Sequence, residues 1–201
     1  TRDLMPPESS RWEAVTEIFT GVASRAGFSL VDTPIFEDVG VFSRIGEGTD
    51  VVGKEMYEFR DRSDRPMALR PEGTAAICRA FAQHRPLVPW KVYYKGPYFR
   101  YEAPQAGRFR QFHQFGIEAL GWPGPDVDAE IINLGTRLWQ YLGLVKIRLE
   151  INSLGSPASR ACYLEDLRTF LESRHDELDE SSRRRLTTNP LRILDSKDSD
   201  T

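Results

Sequence analysis

YYKGPYFRYEAPQAGRFRQFHQFGIEALG, residues Tyr93 to Gly121, consists of two aromatic-rich runs separated by a loop containing Pro104 and Gly107. The runs read as two long strands, Lys91 to Glu102 and Arg110 to Leu120, folded back on one another. Successive side chains of a strand point to opposite faces. Arg110, Phe112, Gln114, Gly116 and Glu118 therefore share one face of the second strand, and Gln111, His113, Phe115 and Ile117 share the other. On the first strand Tyr94, Gly96, Tyr98, Arg100 and Glu102 share a face. An aromatic plate, an amide, a gap and a carboxylate in a row make an odd face for a core and a good one for a polar ligand. Antiparallel pairing can set Arg100 beside Phe112 and Gln114, an arrangement suited to a nucleotide: the ring stacks on a base and the guanidinium forks onto a phosphate. The competing reading is a surface ion-pair ladder of Arg100 with Glu118 or Glu102. His113, on the opposite face from Gln114, reads as a packed histidine and not as a base.

Charge agrees with an anion site here. The 201-residue chain has 27 Lys and Arg against 30 Asp and Glu, a net charge of -3. Between Lys91 and Glu118, however, Lys91, Lys95, Arg100, Arg108 and Arg110 face only Glu102 and Glu118. A basic island on an acidic chain marks a focused anion site, or else a solvated, charged strand pair.

Hydrophobic residues make up 40% of the chain, enough for one respectable core, and 28% are charged, which speaks against disorder. No apolar run approaches the roughly 20 residues that cross a bilayer. The start at Thr1 lacks the apolar stretch of a signal peptide, so a cytoplasmic protein without membrane contact is expected. Cys78 and Cys162 have no CxxC spacing and are expected to be small buried packing residues. Three scattered histidines make a structural zinc site improbable, and no metal ligand is identified.

Outward from the hairpin, Trp12 to Ala26 has helical periodicity, with Ser9 or Ser10 as cap and Gly27 as stop. Phe28 to Glu37 reads as a strand with Pro34 at an edge or bulge. The glycine-rich segment Gly46 to Gly53 leads to a hairpin of Met56–Arg60 and Pro66–Arg70. Thr74 to Gln83 and Asp126 to Leu142 read as helices. Val145, Ile147, Leu149 and Ile151 alternate like a half-buried strand. A last amphipathic helix runs from about Pro157 to Leu178, and the charge-rich 179–201 reads as the opening of another module or a mobile tail; its Arg183–Arg185 run reads as a solvated charge run or an anion contact. The expected fold is α+β, a largely antiparallel sheet flanked by helices, with a core over 1–178.

Phe99-Arg100-Tyr101-Glu102 followed by Arg108-Phe109-Arg110-Gln111-Phe112 resembles motif 2 of the class II aminoacyl-tRNA synthetases. The longer string from Tyr94 to Arg108, continued by Gln111-Phe112-His113-Gln114 and Gly116-Ile117-Glu118, is similar to the histidyl-tRNA synthetase family in particular. Leu69-Arg70-Pro71-Glu72-Gly73-Thr74 resembles that family's histidine-binding strand end. The Trp12–Gly27 helix with the strand holding Pro34 resembles motif 1, which implies a homodimer interface.

The resemblance implies roles residue by residue. Arg100 holds the α-phosphate and stabilises the charge that develops during attack. Phe112 stacks on adenine, with Glu102 and Arg108 contacting the nucleotide. Glu72, Gly73 and Thr74 line the α-ammonium site, assisted by Gln114, and Glu118 accepts a hydrogen bond from the imidazole N–H. The implied reaction makes histidyl-adenylate from histidine and ATP, with Mg2+ on the phosphates, and transfers histidine to tRNA(His). Gly46 to Gly53 resembles a segment near the substrate, which implies a lid. The family's histidine-specific segment with a second arginine, its motif 3 and its anticodon-binding domain find no counterpart in these residues, so the stretch alone is expected to be nearly inactive. The alternatives are the non-catalytic, histidine-sensing regulatory subunit of ATP phosphoribosyltransferase, which shares the fold, and a pure dimerisation fragment. Retention of Arg100, Glu102, Arg108 and the Gln111–Gln114 run argues against the regulator.

Overall fold

The computed structural model describes residues 1–46, 55–102, 107–153 and 155–194. The lid expected over Gly46–Gly53 lies, beyond Gly46, outside the described residues. Contacts divide the chain into two units, Thr1–Ile147 and Arg148–Thr201.

The first unit is built on the long hairpin. Strands β1 (Ser29–Leu30), β5 (Trp90–Phe99) and β6 (Gln111–Leu120) form one sheet in the order β1-β5-β6. The β5–β6 ladder is antiparallel and runs unbroken from Trp90↔Leu120 to Phe99↔Gln111, whereas β1 pairs parallel to β5. A second antiparallel sheet has the order β2-β4-β3, with β2 at Phe36–Asp38, β3 at Glu58–Arg60 and β4 at Pro66–Leu69. The single strand expected over Phe28–Glu37 is thus two short strands in different sheets. Pro34 lies between them, where its missing N–H breaks no ladder bond.

Alternation on the hairpin decides which helices cover which face. Helix α1 (Glu8–Arg25) and helix α4 (Asp126–Tyr141) supply Phe19, Val22, Ala23 and Leu134 to a cluster with Tyr93 of β5, and Phe115, Ile117 and Ala119 of β6 pack against it. Trp12 extends this face, its ring centroid 4.5 Å from that of His113 and 5.3 Å from that of Phe115. His113 is therefore a packed histidine, and burial depresses its pKa. Ser9 and Ser10 lie inside α1, because Pro7 takes the cap position. At the other end Gly27, at φ +82°, turns the chain so that the Phe28 N–H donates back to Ala23 O at 3.1 Å.

The opposite face of the hairpin receives helix α3 (Thr74–His84), whose Ile77 packs with Val92, Tyr94 and Tyr98. Helix α2 (Val39–Gly46) contributes the buried Phe42, clustered with Ala68 and Ala75. Cys78 on α3 is free and exposed, contrary to the expectation of burial, since the buried positions of that helix are Ala75, Ala76, Ile77 and Ala80.

In the second unit, helix α5 (Pro157–Glu172) and helix α6 (Glu180–Thr188) bring Leu167, Leu171, Leu178, Leu186 and Ile193 into one cluster. Asp179 caps α6, accepting from the N–H groups of Ser181 and Ser182 at 2.6 and 2.9 Å. Helix α5 ends at Glu172, and a 3-10 turn, His175–Glu177, follows. Only a narrow stripe of α5 is buried, which leaves Cys162 free and exposed, again against expectation. The expected strand over Val145–Ile151 is not formed. Val145 and Ile151 are 86% and 74% exposed, and no described residue forms a ladder with the segment. Alternation produces a strand only where a neighbour closes the backbone hydrogen bonds.

Candidate active site on the hairpin

The ladder register places the site residues in a row. Phe112 faces Tyr98, Gln114 faces Gly96, Gly116 faces Tyr94 and Glu118 faces Val92. Phe112 and Glu118, six residues apart, are separated by about 20 Å along the strand.

At one end Arg100 leaves β5 just beyond Phe99, and its N–H donates to Arg110 O at 2.9 Å, which extends the pairing by one residue. Its guanidinium carbon lies 5.2 Å from the Phe112 ring centroid, while its Nε donates to Pro71 O at 2.9 Å. The expected Arg100–Phe112 neighbourhood is present, and so is part of the ion-pair reading: Glu102 Oε1 lies 3.8 Å from Arg100 Nη1 and Glu102 Oε2 accepts from Arg108 Nη1 at 3.1 Å. A pair of that length around a partly exposed guanidinium is weak and leaves donors free to move to a phosphate. The register puts Gln114 opposite Gly96 and not beside Arg100. The outer edge of Phe112 also borders a cavity of about 410 Å³ shared with Arg11, Trp12, Phe109 and His113.

At the other end Thr74 Oγ1 donates to Glu118 Oε1 at 2.6 Å. Burial pushes the Glu118 carboxyl above its ordinary value; the Thr74 hydrogen bond opposes this and the nearby Glu72 charge adds to it. Glu72 itself caps α3, its two oxygens accepting from the N–H groups of Thr74 and Ala75 at 2.6 and 2.8 Å. That capping ties Glu72, Gly73 and Thr74 to the helix start and thereby to Glu118.

Between the two ends, the gap read at Gly116 is filled. A Cβ on Gly116 would lie 2.0 Å from Tyr94 Cζ, and one on Gly73 would lie 2.2 Å from Tyr94 Cε2. The Tyr94 ring thus occupies the space that both glycines vacate. Its hydroxyl is 3.5 Å from Gln114 Nε2, and burial raises its pKa. Gln114 Oε1 is buried without a hydrogen-bond partner, an acceptor open to an incoming donor. Sequence reasoning assigns no role to Tyr94 or to Arg70; a tyrosine paired with a glycine on one face is the signal that identifies Tyr94. Gly116→Ala is expected to lower unfolding free energy by about 1–3 kcal/mol through overpacking against Tyr94. Denaturant titration would detect this, and wild-type stability would mean that Tyr94 moves freely aside.

Helices cover both faces of the antiparallel hairpin sheet, and the fold is that of the class II aminoacyl-tRNA synthetases it matches. The solved structure of apo S. aureus histidyl-tRNA synthetase shares this fold at a TM-score of 0.74 and 38% identity, over 96% of this chain and 46% of that one. The histidyl-tRNA synthetase family model matches residues 1–156, and the chain belongs to that family. It is 53% identical to the histidine–tRNA ligase of Synechococcus sp. (strain WH7803), over 97% of this chain and 45% of the relative. A structure described as an ATP phosphoribosyltransferase regulatory subunit/histidyl-tRNA synthetase from Bacillus halodurans C is 25% identical with a TM-score of 0.61, over 72% of this chain and 37% of that one. The chain spans about half the length of the curated relatives it matches.

Proposed function

We propose that the chain provides the ATP- and histidine-reading hairpin of a histidine–tRNA ligase. The observation that supports this best is the series along β6: Phe112 under Arg100, then Gln114 with an unsatisfied acceptor, then Glu118 held by Thr74. In this reading the adenine stacks on Phe112 and the α-phosphate meets Arg100, with Glu102 and Arg108 contacting the nucleotide. The substrate α-ammonium docks at Glu72, Gly73 and Thr74 and donates to Gln114 Oε1. Glu118 accepts the imidazole N–H.

Chemistry follows from that placement. The histidine carboxylate attacks the α-phosphorus, and negative charge builds on the phosphate oxygens. Arg100 is already anchored through Nε to Pro71 O, so its remaining N–H groups meet that charge without reorganisation. Pyrophosphate leaves, and a hydroxyl of the terminal adenosine of tRNA(His) then attacks the histidyl carbonyl, breaking the mixed anhydride and releasing AMP. In this reading Mg2+ accompanies ATP and neutralises its phosphates. Pairing of two copies through α1 and the strand region around Pro34 completes the reading.

The regulatory-subunit reading is kept by the Bacillus halodurans relative, whose description joins both functions. Calorimetry distinguishes the two. A synthetase site is expected to bind both histidine and ATP, a regulator histidine alone. Absence of both signals would remove the ligand-binding reading altogether.

A further inference from the structure

We propose that Arg70 is a positioning residue for adenylate formation, holding the Pro71 carbonyl and the end of β5 in the relation that orients Arg100. The proposal rests on the ligase reading above.

Arg70 is 2% exposed. Its Nε donates to Pro97 O at 2.9 Å, and its Nη1 donates to Thr33 O at 2.6 Å and approaches Thr33 Oγ1 at 3.3 Å. The guanidinium lies 4.6 Å from the Tyr98 ring centroid. Among the described residues its nearest carboxylate is Asp32, 3.9 Å away and 80% exposed. A buried cation is costly unless hydrogen bonds meet its protons, and here carbonyls meet them. Gly96 leaves the necessary room, since a Cβ there would lie 2.6 Å from Arg70 Nη2.

The backbone of Arg70 makes the same connections. Its N–H donates to Ile35 O at 2.9 Å and its carbonyl accepts from Phe99 N at 3.1 Å. One residue thus joins the 33–35 segment, the end of β4 and the end of β5. The next residue in each of the two latter segments makes the contact that orients the catalytic arginine: Arg100 Nε to Pro71 O. A fork of donors in fixed geometry spans Pro97 and Thr33 at once, which the single ammonium of lysine cannot do.

Arg70→Met and Arg70→Lys in a full-length ligase that contains this chain test the proposal. Both are expected to unfold cooperatively at a lowered melting temperature, because the Thr33 and Pro97 carbonyls lose their donor, and to be folded at the assay temperature. The rate of adenylate formation is expected to fall about 10- to 100-fold, with KM for histidine and ATP within about threefold of wild type. Lysine is expected not to restore the rate. The Arg100 Nε–H resonance is expected to shift and to exchange faster with water in both variants, a signature that a purely structural role for Arg70 would not produce. Wild-type rates in a folded variant, or an unshifted Arg100 resonance, would overturn the proposal. Should Arg70→Met fail to fold, Arg70→Lys decides by the same two readouts. If the wild-type protein shows no histidine-dependent adenylation, the ligase reading fails, while the Arg100 resonance still decides whether Arg70 orients it.

Discussion

Replacing Arg100 by alanine is expected to slow adenylate formation about 10²–10³-fold, the usual consequence of deleting one preorganised donor to a developing oxyanion. Three contacts underlie the expectation. The Nε anchor on Pro71 O fixes the guanidinium plane, Phe112 lies beneath it, and Glu102, 3.8 Å away, is too distant to occupy its donors. Charge on the phosphate is larger in the transition state than in bound ATP. The loss should therefore appear in kcat and kcat/KM alike, with little change in KM for histidine. Lysine supplies charge without the fork and should recover only part of the rate. Single-turnover measurement of adenylate in a full-length ligase containing this chain gives the rate directly. An unchanged rate in Arg100→Ala would remove Arg100 from the mechanism.

The second large effect concerns selectivity. Glu118→Gln should lower kcat/KM for histidine about 10²–10³-fold while leaving KM for ATP within about threefold, because a site built around a buried acceptor penalises the wrong partner far more than a pocket of mere shape does. Glu118 is half-buried, and its Oε1 accepts from Thr74. An amide can present its N–H₂ where the imidazole N–H requires an acceptor, and the mismatch is confined to the amino-acid end. The Phe112 end is about 20 Å away along β6 and should not sense it. Equal losses for histidine and ATP would show that Glu118 serves the fold and not recognition.

Much of this site is legible in the residues alone because strands are regular. A period of two assigns Phe112, Gln114, Gly116 and Glu118 to one face, and the observed ladder, Phe112↔Tyr98 through Glu118↔Val92, keeps that assignment. The packed state of His113 follows from the same period, with Trp12 supplying the partner. What alternation cannot give is volume. Gly116 reads as a gap for a ligand, yet the Tyr94 ring fills it, and only the three-dimensional meeting of Gly73, Tyr94 and Gly116 reveals this.

Patterns also promise more than isolated segments deliver. Val145 to Ile151 has the alternation of a strand but no ladder partner among the described residues, so its apolar side chains are exposed. Cys78 and Cys162 follow the residue type's preference for burial only until the helix faces are known; both fall off the buried stripes. Arg70 is the opposite case. Arginine as a residue type belongs to the surface, whereas carbonyls from two segments, those of Thr33 and Pro97, make its burial tolerable.

The most direct test of the central claim is ATP–pyrophosphate exchange by a full-length ligase containing this chain, run with each amino acid separately. Exchange supported by histidine, and lost from the histidine reaction in Glu118→Gln at saturating ATP, is the predicted result. Exchange absent with histidine, or supported equally well by an amino acid whose side chain has no N–H to offer Glu118, would contradict it.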